Sequence, residues 1–130
     1  MKELQGVVSD LDHTLLRSDQ SVSPEDLAAI AALRARNIPV VLATGRHHIM
    51  CGTVVDQVGR HVPIITNNGA TIFDPATGKV LHTSIMPAEV VAEIWRACLI
   101  RDRMCHVFTP HRVLVSGDFR RPDFPDRVVG

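Results

Sequence analysis

Three short apolar runs, separated by two stretches patterned as amphipathic helices, constrain this chain more than any other feature. Residues 4–9 form the first run and end in acids. Ser23, Pro24 and Glu25 then supply an N-cap, a first-turn proline and an early acid ahead of Leu27, Ile30, Ala31 and Leu33 at helical spacing. Asn37 closes that helix, residues 38–43 read as a buried strand, and Thr44-Gly45-Arg46 turn into a second helix running to about Gly59. Residues 62–66 make a third strand. Strands alternating with helices of ordinary length predict a parallel sheet with right-handed crossovers, the doubly wound α/β class, in which ligands bind beyond the carboxyl ends of the strands.

After Asn67-Asn68-Gly69 the pattern changes. Residues 71–73 and 80–83 flank a turn-rich segment, residues 87–101 are helical with Val90, Val91, Ile94 and Trp95 on one stripe, and residues 105–108 and 113–115 form a further hairpin. The Ile94 to Leu99 stripe is expected to be core packing. The tail, 117–130, is rich in Arg, Pro and Asp without periodicity and reads as irregular.

Composition removes several function classes. With 45% hydrophobic and 22% charged residues the chain is an ordinary globular sequence. Its formal net charge is zero, so no global field draws it to nucleic acid or to an anionic membrane, and an anion must be held by local groups. Cys51, Cys98 and Cys105 are odd in number and lack a CxxC pair, the first residues are polar rather than signal-like, and no apolar run approaches the roughly 20 residues of a membrane span. The expectation is a cytoplasmic protein with free thiols.

The candidate chemistry lies at strand ends. Asp10 and Asp12 close the first strand within Val7-Val8-Ser9-Asp10-Leu11-Asp12-His13-Thr14, Thr44-Gly45-Arg46 follow the second, and Asn67-Asn68-Gly69 follow the third. Each has a plain reading alone: solvated turn acids, a surface cation, a turn that tolerates positive φ. Together and in this order they resemble the haloacid dehalogenase superfamily, whose DxDxT signature matches Asp10, Asp12 and Thr14, and within it the Cof-like branch with a type IIB cap, which dephosphorylates sugar phosphates, pyridoxal phosphate and similar metabolites.

The resemblance implies a Rossmann-like core over residues 1–84, the beginning of an α+β cap over 85–116 and the irregular tail 117–130. It further implies that Asp10 is the nucleophile and that Asp12 is general acid and base. The carboxylate of Asp10 and the backbone carbonyl of Asp12 would bind Mg²⁺, while Thr44, Gly45, Arg46 and Asn68 would hold the substrate phosphate. Thr44 is expected at a helix N-terminus, where a hydroxyl, unpaired N–H groups and the helix dipole favour an anion. Splitting hydrolysis through an aspartyl-phosphate suits a phosphate monoester, whose direct hydrolysis is slow enough for enzymes to accelerate it by up to ~10²¹-fold.

The sequence departs from the family in places. His13 stands where the family usually has glycine, the only lysines are Lys2 and Lys79, and the nearest match to the family's closing acidic motif is Asp118 with Asp123, spaced one residue too far. The simpler expectation is a chain that stops inside the cap and leaves the edge of strand one open to a second copy or a complementing chain. Two functions remain open: a phosphatase fragment or half-enzyme, and a non-catalytic relic or phosphate-binding module. A receiver-type signalling domain fits poorly because its phosphoacceptor Asp belongs after strand three, where Thr66-Asn67-Asn68 stand. The histidines lack the spacing of a zinc site, and Thr77-Gly78-Lys79 lacks the flanking residues of a P-loop.

Overall fold

The computed structural model describes residues 4–61 and 63–116. The tail and its acids Asp118 and Asp123 lie outside the described residues. The chain divides into two compact units, one ending at Ser84 and one opening at Ile85.

The first unit is built on a five-stranded sheet of order β1-β2-β3-β4-β5, comprising β1 (Val7–Asp10), β2 (Val40–Ala43), β3 (Ile64–Thr66), β4 (Thr71–Asp74) and β5 (Lys79–Thr83). The first three strands are parallel and the last two antiparallel. Helix α1 (Pro24–Ala35) starts where Ser23 Oγ accepts the Asp26 amide at 3.0 Å, with Pro24 pre-set for the first turn. It stops in a Schellman motif: Asn37 takes φ 57°, its N–H reaches the Arg34 carbonyl at 2.8 Å, and the Ile38 N–H reaches Leu33 at 3.0 Å. That motif consumes the Ile38 donor and Pro39 has none, so β2 begins at Val40, two residues later than the apolar run suggests.

Helix α2 (Gly52–Val58) differs from expectation. His47 Nδ1 accepts from the Ile49 amide and opens a 3₁₀ turn, His48–Cys51, so the second helix begins eight residues after Thr44. Helices α1 and α2 both cover the face carrying Val40, Leu42 and Ile64, and Ile30, Val54, Val55 and Val58 meet these side chains in one core with Leu11, Leu15 and Leu16. The other face presents Val8, Val41, Ala43, Ile65 and Ile72 in register, and among the described residues no helix of this unit lies on it. Val8 is 65% exposed on β1, the edge strand.

The second unit contains α3 (Ala88–Ile100) and the hairpin β6 (Cys105–Phe108) and β7 (Val113–Ser116). The apolar stripe of α3 was expected to be core. Within the described residues it buries no side chain fully: Val90 is 39% and Ile94 43% exposed. The described residues of this unit set one helix over a two-stranded hairpin, which offers too little surface to close a core.

Candidate active site

Parallel register assembles the site. Asp10 pairs with Ala43, and Ala43 with Ile65, so the carboxyl ends of β1, β2 and β3 lie side by side and their loops leave one rim of the sheet. Asp10, Asp12, Thr44, Gly45, Arg46 and Asn68 all sit on these loops.

The first loop is a tight turn pinned by apolar side chains. Leu11, Leu15 and Leu16 point into the core, each burial being worth roughly 1.5–3 kcal/mol, while Asp10, His13 and Thr14 remain outside. The Leu16 N–H meets the Leu11 carbonyl at 2.8 Å and the Leu15 N–H meets that of Asp10 at 3.3 Å. The turn requires a left-handed residue, and His13 supplies it at φ 60°, the conformation glycine adopts without strain. Thr14 Oγ1 donates to Asp10 Oδ2 at 3.3 Å, which orients an otherwise exposed carboxylate.

The second and third loops hold each other. The Thr44 N–H reaches the Ile65 carbonyl at 2.9 Å, the Asn67 N–H reaches Arg46 at 3.0 Å, and the Asn68 N–H reaches Thr44 at 3.1 Å. Asn67 and Asn68 take φ 53° and 54°, a region that asparagine tolerates. Gly45 suits this closeness, since a Cβ there would stand 2.8 Å from Asn68 Oδ1 and displace that side chain. Thr44 is 5% exposed, and its Oγ1 accepts the Arg46 amide at 3.1 Å, which leaves the hydroxyl proton available to a ligand. The expected helix N-terminus is therefore absent at Thr44. What the loop can present to an anion there is a hydroxyl and a loop backbone.

Arg46 is also placed differently from expectation. Its guanidinium turns onto Asp12 as a two-point fork: Nε donates to Oδ2 at 2.9 Å and Nη2 donates to Oδ1. Nη2 donates further to Gln20 Oε1. The hydrogen bonds from Arg46 hold the Asp12 carboxyl below the ordinary carboxylate range, against an opposing push from burial. Nearby, burial drives the Cys51 thiol up to about 11. Gln20 is the contact that motif reading missed, because it lies on a surface turn with no signature. Its only advance sign is polar side-chain chemistry in the loop after the DxDxT segment.

Mg²⁺ is the cofactor the resemblance implies, and the donor set suits it in kind but not in number. The Asp10 carboxylate and the Asp12 carbonyl are hard oxygens, yet the Asp12 carboxylate is occupied by Arg46, and among the described residues no group of three or more His, Cys, Asp or Glu could hold a metal.

A family profile for haloacid dehalogenase-like hydrolases matches residues 7–124. The chain belongs to that family. It is 35% identical over 99 residues to an HMP-PP phosphatase of Serratia proteamaculans, covering 76% of this chain and 36% of the relative. A haloacid dehalogenase-like hydrolase from B. subtilis overlays with a TM-score of 0.75 at 29% identity, over 84% of this chain and 38% of its own. A sugar phosphatase of subclass IIB in the same superfamily overlays at 0.72 and 23% identity, over 85% of this chain and 43% of its own, a likeness of fold alone. The chain thus spans less than half the length of these relatives. Among the described residues no helix is long and apolar enough to cross a membrane.

Proposed function

We propose that this chain carries the nucleophile-bearing part of a Mg²⁺-dependent phosphomonoester hydrolase acting on small phosphorylated metabolites. The observation that supports it most is the register that sets Asp10 beside Ala43 and hence next to Thr44. An Asp10 carboxylate oxygen attacks phosphorus, the ester P–O bond breaks, and the leaving oxygen takes a proton from Asp12. Water then attacks the aspartyl-phosphate while Asp12 accepts its proton, and inorganic phosphate departs. Thr44 would donate its hydroxyl proton to a phosphoryl oxygen, Gly45 would let the backbone approach, and Asn68 would close the rim. Asp10 and the Asp12 carbonyl would hold Mg²⁺, which when bound offsets the repulsion between carboxylate and phosphate dianion.

Arg46 refines the role of Asp12. The fork favours an ionised Asp12, so Asp12 would take the proton it donates from solvent as the phosphate dianion binds, since the dianion's charge raises the carboxyl's proton affinity.

For substrate, the name of the Serratia relative points to HMP-PP, and the resemblance to the Cof-like branch adds sugar phosphates and pyridoxal phosphate. The open edge of β1 and the bare face around Val8 suit a second copy or a complementing polypeptide, the latter able to bring a further lysine and further acids. Free thiols at Cys51, Cys98 and Cys105 agree with a cytoplasmic location.

The second reading, a phosphate-binding module without turnover, is favoured by the short metal-donor set among the described residues. Turnover of p-nitrophenyl phosphate with Mg²⁺, abolished by Asp10→Asn, is the expected result for the half-enzyme once complemented. Phosphate binding that persists in Asp10→Asn, with no turnover in any combination, would leave the module.

A further inference from the structure

We infer that Gln20 is a positioning residue for Asp12, acting through Arg46: it holds the guanidinium in the orientation that grips both carboxylate oxygens. The inference rests on the reading of Asp12 as the acid–base residue.

The chain builds a densely hydrogen-bonded turn to present this side chain. Leu16 and Val22 are buried and form an antiparallel bridge at its base. The Arg17 N–H meets the Ser21 carbonyl at 2.9 Å, and the Gln20 N–H meets the Arg17 carbonyl at 2.9 Å. Asp19 Oδ1 accepts both the amide and the hydroxyl of Ser21, at 3.0 and 2.6 Å. On the far side, Gln57 Oε1 accepts the Val22 amide at 3.2 Å and ties the turn to α2.

Gln20 itself takes φ 67°, a strained conformation for a residue with a long side chain. Glycine or asparagine would fill the position with less strain. What glutamine adds is reach: its amide oxygen accepts from Arg46 Nη2, the same nitrogen that donates to Asp12 Oδ1. Strain retained where a side chain touches a candidate site is the pattern that points to function.

The geometry separates two effects. Gln20 touches Nη2, whereas Nε donates to the other Asp12 oxygen without contacting Gln20. The guanidinium is planar and rigid, so a hold on Nη2 fixes Nε–H on Oδ2 as well. A cleft of about 340 Å³ borders Arg46 beside Gln20, Ser21 and Gln57. Without the Gln20 amide, the guanidinium can swing into it and abandon Asp12.

The Arg46 Nε–H resonance of the full chain reads this directly, assigned by its disappearance in Arg46→Lys. Gln20→Asn tolerates the left-handed backbone but falls one methylene short. Gln20→Glu keeps both length and acceptor. The expected result is slow Nε–H exchange in the wild type and in Gln20→Glu, with exchange about tenfold faster in Gln20→Asn, the size expected from one partly exposed charge-assisted hydrogen bond. Equal exchange in the wild type and Gln20→Asn would overturn the proposal, as would fast exchange in all three. Titration with inorganic phosphate, followed at the Thr44 amide, tests the underlying site. A wild-type Thr44 amide unmoved by phosphate would count against the proposed function, whatever Gln20 does to Arg46.

Discussion

Arg46 grips both carboxylate oxygens of Asp12 across 34 positions of sequence, joining the loop after β2 to the loop after β1. Two groups assigned separately by motif, one to proton transfer and one to phosphate, are thereby a single unit. The arginine's charged partner at this site is the aspartate.

The pairing predicts an acid-side signature. Asp12 titrates below its ordinary value when folded, so the pair contributes above about pH 3.9, the unfolded value, and that contribution disappears as pH falls through the lower folded value. Arg46→Met should move the Asp12 carboxyl ¹³C titration up toward ~3.9. Asp12 is 42% exposed, so water screens the pair and the change in melting temperature at neutral pH should be small.

Gly45 and Asn68 should behave as a coupled pair. Gly45→Ala places a methyl 2.8 Å from Asn68 Oδ1, so the Asn68 side chain must turn away, at a cost of about 1 kcal/mol, the low end of overpacking. Asn68→Gly removes the obstacle and also suits φ 54°. The double variant should therefore recover much of the loss in a denaturant melt, whereas additive losses would show that the two residues do not meet in solution.

His13→Gly should stabilise the chain. A side chain at φ 60° carries about 1–2 kcal/mol of strain, and glycine loses about 0.5–1 kcal/mol to extra freedom when unfolded. The net expectation is a gain of up to about 1.5 kcal/mol, read from the urea midpoint at unchanged slope. A loss would mean that the imidazole makes a contribution beyond filling the turn.

Cys51 should limit stability in alkali. The residue is 1% exposed, and burial pushes its thiol up to about 11, above the ~8.5 of an unfolded cysteine. A group whose folded value is raised stabilises fully below the unfolded value, and that stability is lost as pH rises through the folded one. Between about pH 8.5 and 11, stability should fall by up to ~1.4 kcal/mol per pH unit from this group. Cys51→Ala should flatten that slope in melts across the range, and the wild-type thiol should resist alkylation at pH 8.

Much of the architecture was legible because it follows from local rules. The proline-led start of α1, its closure at Asn37, three parallel strands, the β4–β5 hairpin and the β6–β7 hairpin all rest on capping, turn chemistry and apolar runs a few residues long. The three candidate loops were legible for the same reason, since each follows a readable strand. Boundaries failed where a hydrogen bond competed: Ile38 surrendered its donor to the end of α1, and His47 diverted the chain into a 3₁₀ turn before α2. The stripe on α3 misled because periodicity reveals an apolar face without revealing what covers it.

By itself, then, the sequence determined which elements form, in what order, and which residues stand at the strand ends, since these depend on neighbours within a few positions. Only the tertiary structure decided that the guanidinium of Arg46 lies on Asp12 rather than open to phosphate, that Gln20 joins them, that Thr44 faces the site from a loop, and that both helices share one face of the sheet. Such choices depend on strand register and on the competition of distant groups for the same donors, and no local pattern encodes either.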